Sequence, residues 1–161
     1  MPPERPCHRR GCWAILQTAW RNHYNSATEE IDILAYSAHF LRAKTGVNVR
    51  ILGDPESRVV AARGVEEGIG AEVTAARVKN ALALHRPLLG VHGVEIRLHR
   101  TVLYNSLYRA DDQILINTHA YGTPAANAPV MHLTHTNDEG PASTYLSSFN
   151  RIWTTAQPHN Q

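Results

Sequence analysis

Residues 101–122 read TVLYNSLYRADDQILINTHAYG and hold the densest set of groups able to do chemistry. Tyr104, Ser106 and Asp111 stand in the spacing Tyr-x-Ser-x4-Asp, and Asn117, His119 and Tyr121 follow within ten residues. A hydroxyl or phenol can attack an electrophilic centre when a neighbouring base takes its proton, and an imidazole is the usual base. The same residue types, without a reaction, make hydrogen-bonding walls for a polar ligand. A phenol with an ordinary pKa of about 10 is mostly neutral at pH 7, and a serine hydroxyl brings no positive charge to a phosphate.

These residues need elements to present them. Period-two patterning predicts strands over 102–110 and 114–121, joined by a tight turn at Asp111, Asp112 and Gln113. Alternate residues of a strand share a face, so Tyr104, Ser106 and Tyr108 point one way, and Leu103, Asn105, Leu107 and Arg109 the other. Upstream, the apolar run at 31–36 has the length of a buried strand and delivers Ser37 and His39 at its end; a second strand at 47–52 leads into Asp54. Ligands of open α/β sheets tend to sit outside the carboxyl ends of strands, so Ser37, His39 and Asp54 are expected to join Tyr104, Ser106, Asp111, Asn117, His119 and Tyr121 around one polar pocket. The plainer alternative is a set of satisfied hydrogen-bonding residues on an exposed hairpin, with the tyrosines packed for their apolar bodies.

The spacing resembles that of the phospholipase D superfamily, which carries His-x-Lys-x4-Asp on such a strand pair and a Gly-Ser-x-Asn segment at the end of the second strand. In this register the His and Lys positions are Tyr104 and Ser106, Asp111 matches, and the last segment falls on Thr118, His119, Ala120 and Tyr121. Over residues 31–156, IDILAYSAHF, VRILGDP, VEIRLH, LYNSLYRADDQILINTHAYG and YLSSFNRIW look like the phospholipase D-like effector domain that follows a helix-turn-helix in actinomycete transcription regulators. The resemblance implies one half of a phospholipase D fold, a homodimer, and a non-catalytic sensory or effector module binding a small polar or phosphorylated ligand. DNA would be reached only through a separate helix-turn-helix domain, for which this chain has no room. The competing class is a divergent phosphodiesterase or phosphotransferase using Tyr104 or His119, with Arg97 or Arg109 neutralising phosphate; strand parity turns Arg109 away from Tyr104 unless a bulge intervenes.

With 161 residues and a formal net charge of +2, one domain with a substantial core is expected, and a dedicated nucleic-acid binder is not. Arg97, Arg100 and Arg109 are accordingly read as a solvated face beside acidic neighbours. No apolar run reaches the roughly 18–20 residues of a membrane span, and the N-terminus lacks the apolar core of a secretory signal, so a cytoplasmic location is expected. Cys7 and Cys12 beside His8 have no second ligand pair, which argues for free thiols over zinc. His119, His132 and His135, with Asp138, are read as separate histidines and no metal site; no cofactor is implied.

Residues 1–11 combine Pro, Arg and Gly without periodicity and read as a disordered arm before one domain at 12–157. Trp13, Leu16, Trp20 and Tyr24 recur at helical intervals over 13–27. Asp54 before Pro55 reads as the N-cap of a helix over 55–65. A helix over 71–85 is expected to bury Val73, Ala76, Ala81, Leu82 and Leu84, and a closing helix over 141–156 sets Tyr145, Leu146, Phe149, Ile152 and Trp153 on one face. Strands are read at 94–99 and 130–135. The connection between the first two strands is shorter than a parallel crossover usually needs, so either one turn at 40–44 makes it or those strands are arranged differently. The sum is an α/β fold: a mixed β-sheet of five or six strands covered by helices, resembling one half of a phospholipase D fold.

Overall fold

A computed structural model of the chain describes residues 11–38, 48–136 and 139–160. Among these it forms helices α1 (Gly11–Ser26), α2 (Arg58–Glu66), α3 (Ala71–His85) and α4 (Pro141–Thr155). The strands are β1 (Ile31–Leu34), β2 (Asn48–Gly53), β3 (Val94–His99), β4 (Asn105–Ala110), β5 (Gln113–Thr118), β6 (Val130–Thr134) and β7 (Gln157–Pro158). They make one mixed sheet in the order β6-β5-β4-β1-β2-β3-β7. Strands β1, β2 and β3 run parallel, and the remaining pairs are antiparallel. The expected α/β class with a mixed sheet flanked by helices is therefore present, with seven strands where five or six were read. The extra one is β7, two residues that pair with the edge of β3.

Strand alternation divides the core in two. On one face Ile31, Ile33, Tyr108, Ala110 and Leu115 pack against Trp20 and Tyr24 of α1. On the other, Leu34, Ile51, Leu107, Ile114 and Ile116 pack with Phe149 and Ala142 of α4. Side chains as completely buried as Ile114 and Ile116 contribute about 1.5–3 kcal/mol each. Arg97 lies 3.7 Å above the Trp153 ring and donates to the Trp153 carbonyl at 2.9 Å, which pins α4 to β3.

Several elements differ from the sequence reading. The hairpin strands are shorter than 102–110 and 114–121, and the turn is only Asp111 and Asp112, since Ala110 pairs directly with Gln113. Before β4 the chain bends because Leu103 turns into the core and its N–H donates to the Tyr36 hydroxyl at 2.9 Å. Helix α2 starts three residues later than expected: Ser57 is the N-cap, its hydroxyl accepting from the Val60 N–H at 3.2 Å. Asp54 instead accepts from the Glu56 N–H and from Arg100. In α3 the buried stripe is Thr74, Val78, Ala81 and His85, while Val73 and Leu84 are exposed; polar residues belong to the packed side because α2 and the β2 end close over it. β1 and β2 do pair in parallel, and their connection at 39–47 lies outside the described residues, as do most of the expected arm (1–10) and Asp138.

Candidate functional site

The parallel strands end toward α2 and α3, and a cavity of about 380 Å³ opens there between these helices and the β4–β5 hairpin. Its wall includes Ser37, Ser106, Asn117 and His119, four of the residues expected to converge. Ser106 and Asn117 are direct cross-strand partners, so one residue pair of the ladder places both side chains on the cavity side. Among the described residues, Ser106 and Asn117 are buried, and Ser37 and His119 are half-buried.

His119 is held from three directions. Its Nδ1 lies 3.0 Å from the Leu103 carbonyl, its Nε2 lies 3.1 Å from Ser106 Oγ, and its ring stacks on Tyr36 at 5.9 Å between centroids and 20° between planes. A carbonyl can only accept, so Nδ1 carries the ring proton, Nε2 is the acceptor, and the Ser106 hydroxyl donates to it. Burial pushes the His119 pKa below its ordinary value; the Leu103 carbonyl opposes that, and the positive charge of Arg63 adds to it. At neutral pH the ring is therefore an uncharged acceptor. Ser106 also shares a hydrogen bond with the buried Tyr108 phenol, whose pKa burial raises above the usual range.

Asn117 uses its amide N–H to reach the Ala125 carbonyl at 2.9 Å, while its buried Oδ1 has no hydrogen-bond partner. An unpaired buried acceptor costs on the order of 1–3 kcal/mol, which a donor brought within reach of it would offset. On the helix side, Arg63 pairs with Glu66 at 2.6 Å and Glu67 at 2.7 Å and donates to the Thr123 carbonyl. Arg77 and Asn80, both exposed, form part of the rim.

The other expected site residues do not enter the cavity. Tyr104 is 82% exposed and Tyr121 91%, because both sit outside the strands, where side-chain alternation no longer binds them. A Tyr104–His119 catalytic pair therefore has no geometric basis; the contact between these residues is the His119 N–H to the Tyr104 carbonyl. Asp111 is at the far end of the hairpin, with its carboxylate on the Thr28, Glu29 and Glu30 N–H groups. Asp54 pairs with Arg100 at 2.7 Å; burial raises its pKa, but the Glu56 N–H and Arg100 outweigh that and hold it below the ordinary carboxylate value. His39 lies outside the described residues.

Four wall residues were legible but not singled out. Tyr108 shares the Ser106 face by strand parity, and Tyr36 closes the apolar run that leads to Ser37. Arg63 and Glu67 have the i,i+4 spacing of a solvated helix pair, and only the docking of α2 on α3 buries Arg63. Among the histidines read for metal, His132 bonds Gln113 at 2.7 Å and His135 lines a separate recess beside α4, so neither approaches His119. Arg97, Arg100 and Arg109 are each tied to an acidic neighbour: Glu95, Asp54, and Glu30 with Asp32. Among the described residues no three His, Cys, Asp or Glu side chains gather as a metal would require, and no helix is long and apolar enough to cross a membrane.

No family model matches the chain, and no curated protein matches it. A solved fold is similar. It belongs to TrmBL2, an archaeal chromatin protein whose structure shows a novel mode of DNA binding; the TM-score is 0.52 at 12% sequence identity. The match takes in 99% of this chain and 57% of the TrmBL2 chain, so this chain spans little more than half the length of that protein. At this identity TrmBL2 speaks for the fold alone.

Proposed function

We propose that this chain is a phospholipase D-like sensory or effector module of a DNA-associated regulator, and that its α2–α3 cavity binds a small polar or phosphorylated ligand. The observation that carries the reading is Asn117, a cavity-lining residue buried to 1% exposure whose Oδ1 has no hydrogen-bond partner. Ser106 beside it occupies the motif position that is Lys in the phospholipase D superfamily, and Tyr104, at the His position, is turned to solvent. That arrangement supports binding in place of phosphoryl transfer. The regulatory context is supported by the fold shared with TrmBL2, a chromatin protein, of whose chain the match covers 57%. A homodimer and a separate DNA-binding domain belong to the same proposal.

A thermal-shift screen of nucleotides, phosphorylated metabolites and small polyfunctional amides tests it. A ligand at 100 times its dissociation constant stabilises the folded state by about 2.7 kcal/mol, which raises the melting temperature by several degrees. The shift should vanish in Asn117→Ala and weaken in Ser106→Ala. A screen in which no compound moves the transition would remove the proposal.

A further inference from the structure

The Ser106–His119 pair has more order than a ligand wall requires. A serine hydroxyl becomes a nucleophile when a base accepts its proton and a third group fixes the base. Here the base nitrogen is 3.1 Å from Ser106 Oγ, and the Leu103 carbonyl, 3.0 Å from the opposite ring nitrogen, fixes tautomer and orientation. The Leu103 N–H in turn donates to the Tyr36 hydroxyl at 2.9 Å, and the Tyr36 ring backs the imidazole. One backbone unit thus positions both the base and the ring that supports it. Ser106 faces a cavity wide enough for a small molecule, and Arg77, which has no ion pair among the described residues, brings positive charge to its rim.

We propose that Ser106 is a nucleophile toward small activated esters, with His119 as general base, an activity that rests on the same cavity as the binding reading but not on any regulatory role. Ser106 Oγ forms a bond to the ester carbonyl carbon while its proton passes to His119 Nε2. The tetrahedral adduct collapses, the carbon–oxygen bond to the leaving alcohol breaks, and His119 returns the proton to that alcohol. Water then attacks the acyl-serine, His119 takes a proton from it, and the carboxylic acid leaves as Ser106 recovers its hydrogen. Arg77 and Asn117, both lining the cavity, carry N–H groups that would meet the developing oxyanion.

The test treats the intact chain with a fluorophosphonate probe and with p-nitrophenyl acetate, and locates adducts by peptide mass spectrometry. The expected result is one adduct on the Ser106 peptide, formed as the phosphorus–oxygen bond replaces fluoride, and absent from Ser106→Ala. His119→Ala should slow both reactions by about 100-fold or more. The rate should fall as acid protonates the imidazole, with a midpoint below that of an ordinary histidine. No adduct at Ser106, or a rate indifferent to His119→Ala, overturns the proposal. Ser106→Cys with iodoacetamide separates this failure from that of the cavity: alkylated Cys at 106 with unreactive wild-type serine leaves the binding reading standing, whereas an unalkylated thiol there sinks both. Circular dichroism melts of each variant exclude loss of fold as the cause.

Discussion

Asp111 and Glu30 are joined by two reciprocal hydrogen bonds: the Asp111 N–H donates to the Glu30 carbonyl at 2.9 Å, and the Glu30 N–H donates to Asp111 Oδ1 at 2.8 Å. The same carboxylate takes the N–H groups of Thr28 and Glu29, so the hairpin tip organises the entry to β1. Asp111 also holds φ at 54°, a left-handed conformation that Asp tolerates better than Ala. Asp111→Ala is expected to cost about 1–3 kcal/mol in urea unfolding. Asp111→Asn, which keeps acceptor and conformation, should recover part of that; equal stability of Ala and wild type would show the tether to be idle.

Gly64 marks a close contact of α2 with the start of α3. A Cβ there would collide with Thr74 Oγ1 and the Gly70 carbonyl, and would stand 2.9 Å from the Gly70 carbonyl carbon. Backbone cannot step aside as a long side chain can, so Gly64→Ala should destabilise by about 1–3 kcal/mol despite the better helix propensity of Ala. Because Arg63 and Thr74 flank this contact and line the cavity, any ligand-induced thermal shift should shrink with it.

Asp32 carries a pH signature. Burial and the neighbouring Glu30 push its pKa up to about 7, with Arg109 pulling against them. A folded value above the unfolded one means the native state binds the extra proton between about pH 4 and 7. That contribution to stability is complete below the unfolded value and is lost as pH rises through 7. Asp32→Asn should flatten the decline between pH 5 and 8, read as melting temperature against pH. The 2.8 Å pair of Arg109 with Glu30 does not involve Asp32 and is expected to persist in that variant.

His85 and His99 act with the opposite sign. Burial lowers both pKa values to about 4, against the Ala81 and Ala35 carbonyls, which accept from the rings and favour their charged forms; Arg50 adds to the lowering at His85. The unfolded chain therefore binds protons more readily between about pH 6.5 and 4. The stability these neutral rings confer is present above 6.5 and drains away as pH falls toward 4. His99→Gln, tested by denaturant titration at pH 7 and 4.5, should narrow the gap between the two conditions even if it lowers stability at both.

Tyr104 provides a control. At 82% exposure its side chain adds little, so Tyr104→Phe should leave stability within about 0.5 kcal/mol and leave ester reactivity unchanged. A large loss of reactivity in this variant would restore the phenol to the site.

The sequence by itself determined the local elements and the faces of the hairpin. Period-two alternation set Ser106 and Tyr108 against one core and Leu107 against the other, and helical spacing set Leu146, Phe149 and Trp153 on one side of α4, because these periods follow from backbone geometry alone. It could not say where strand order ends, since Tyr104 and Tyr121 continue the polar pattern just past the residues that pair. Nor could it foresee that α2 and α3 close on the strand ends, a packing that buries Thr74, Arg63 and His85 in place of Val73 and Leu84. That closure is a long-range event, and it decided which hydroxyls meet a cavity. The Ser106–His119 contact spans thirteen residues and depends on the Leu103 carbonyl bending inward, so only the tertiary structure could bring donor, base and orienting group together.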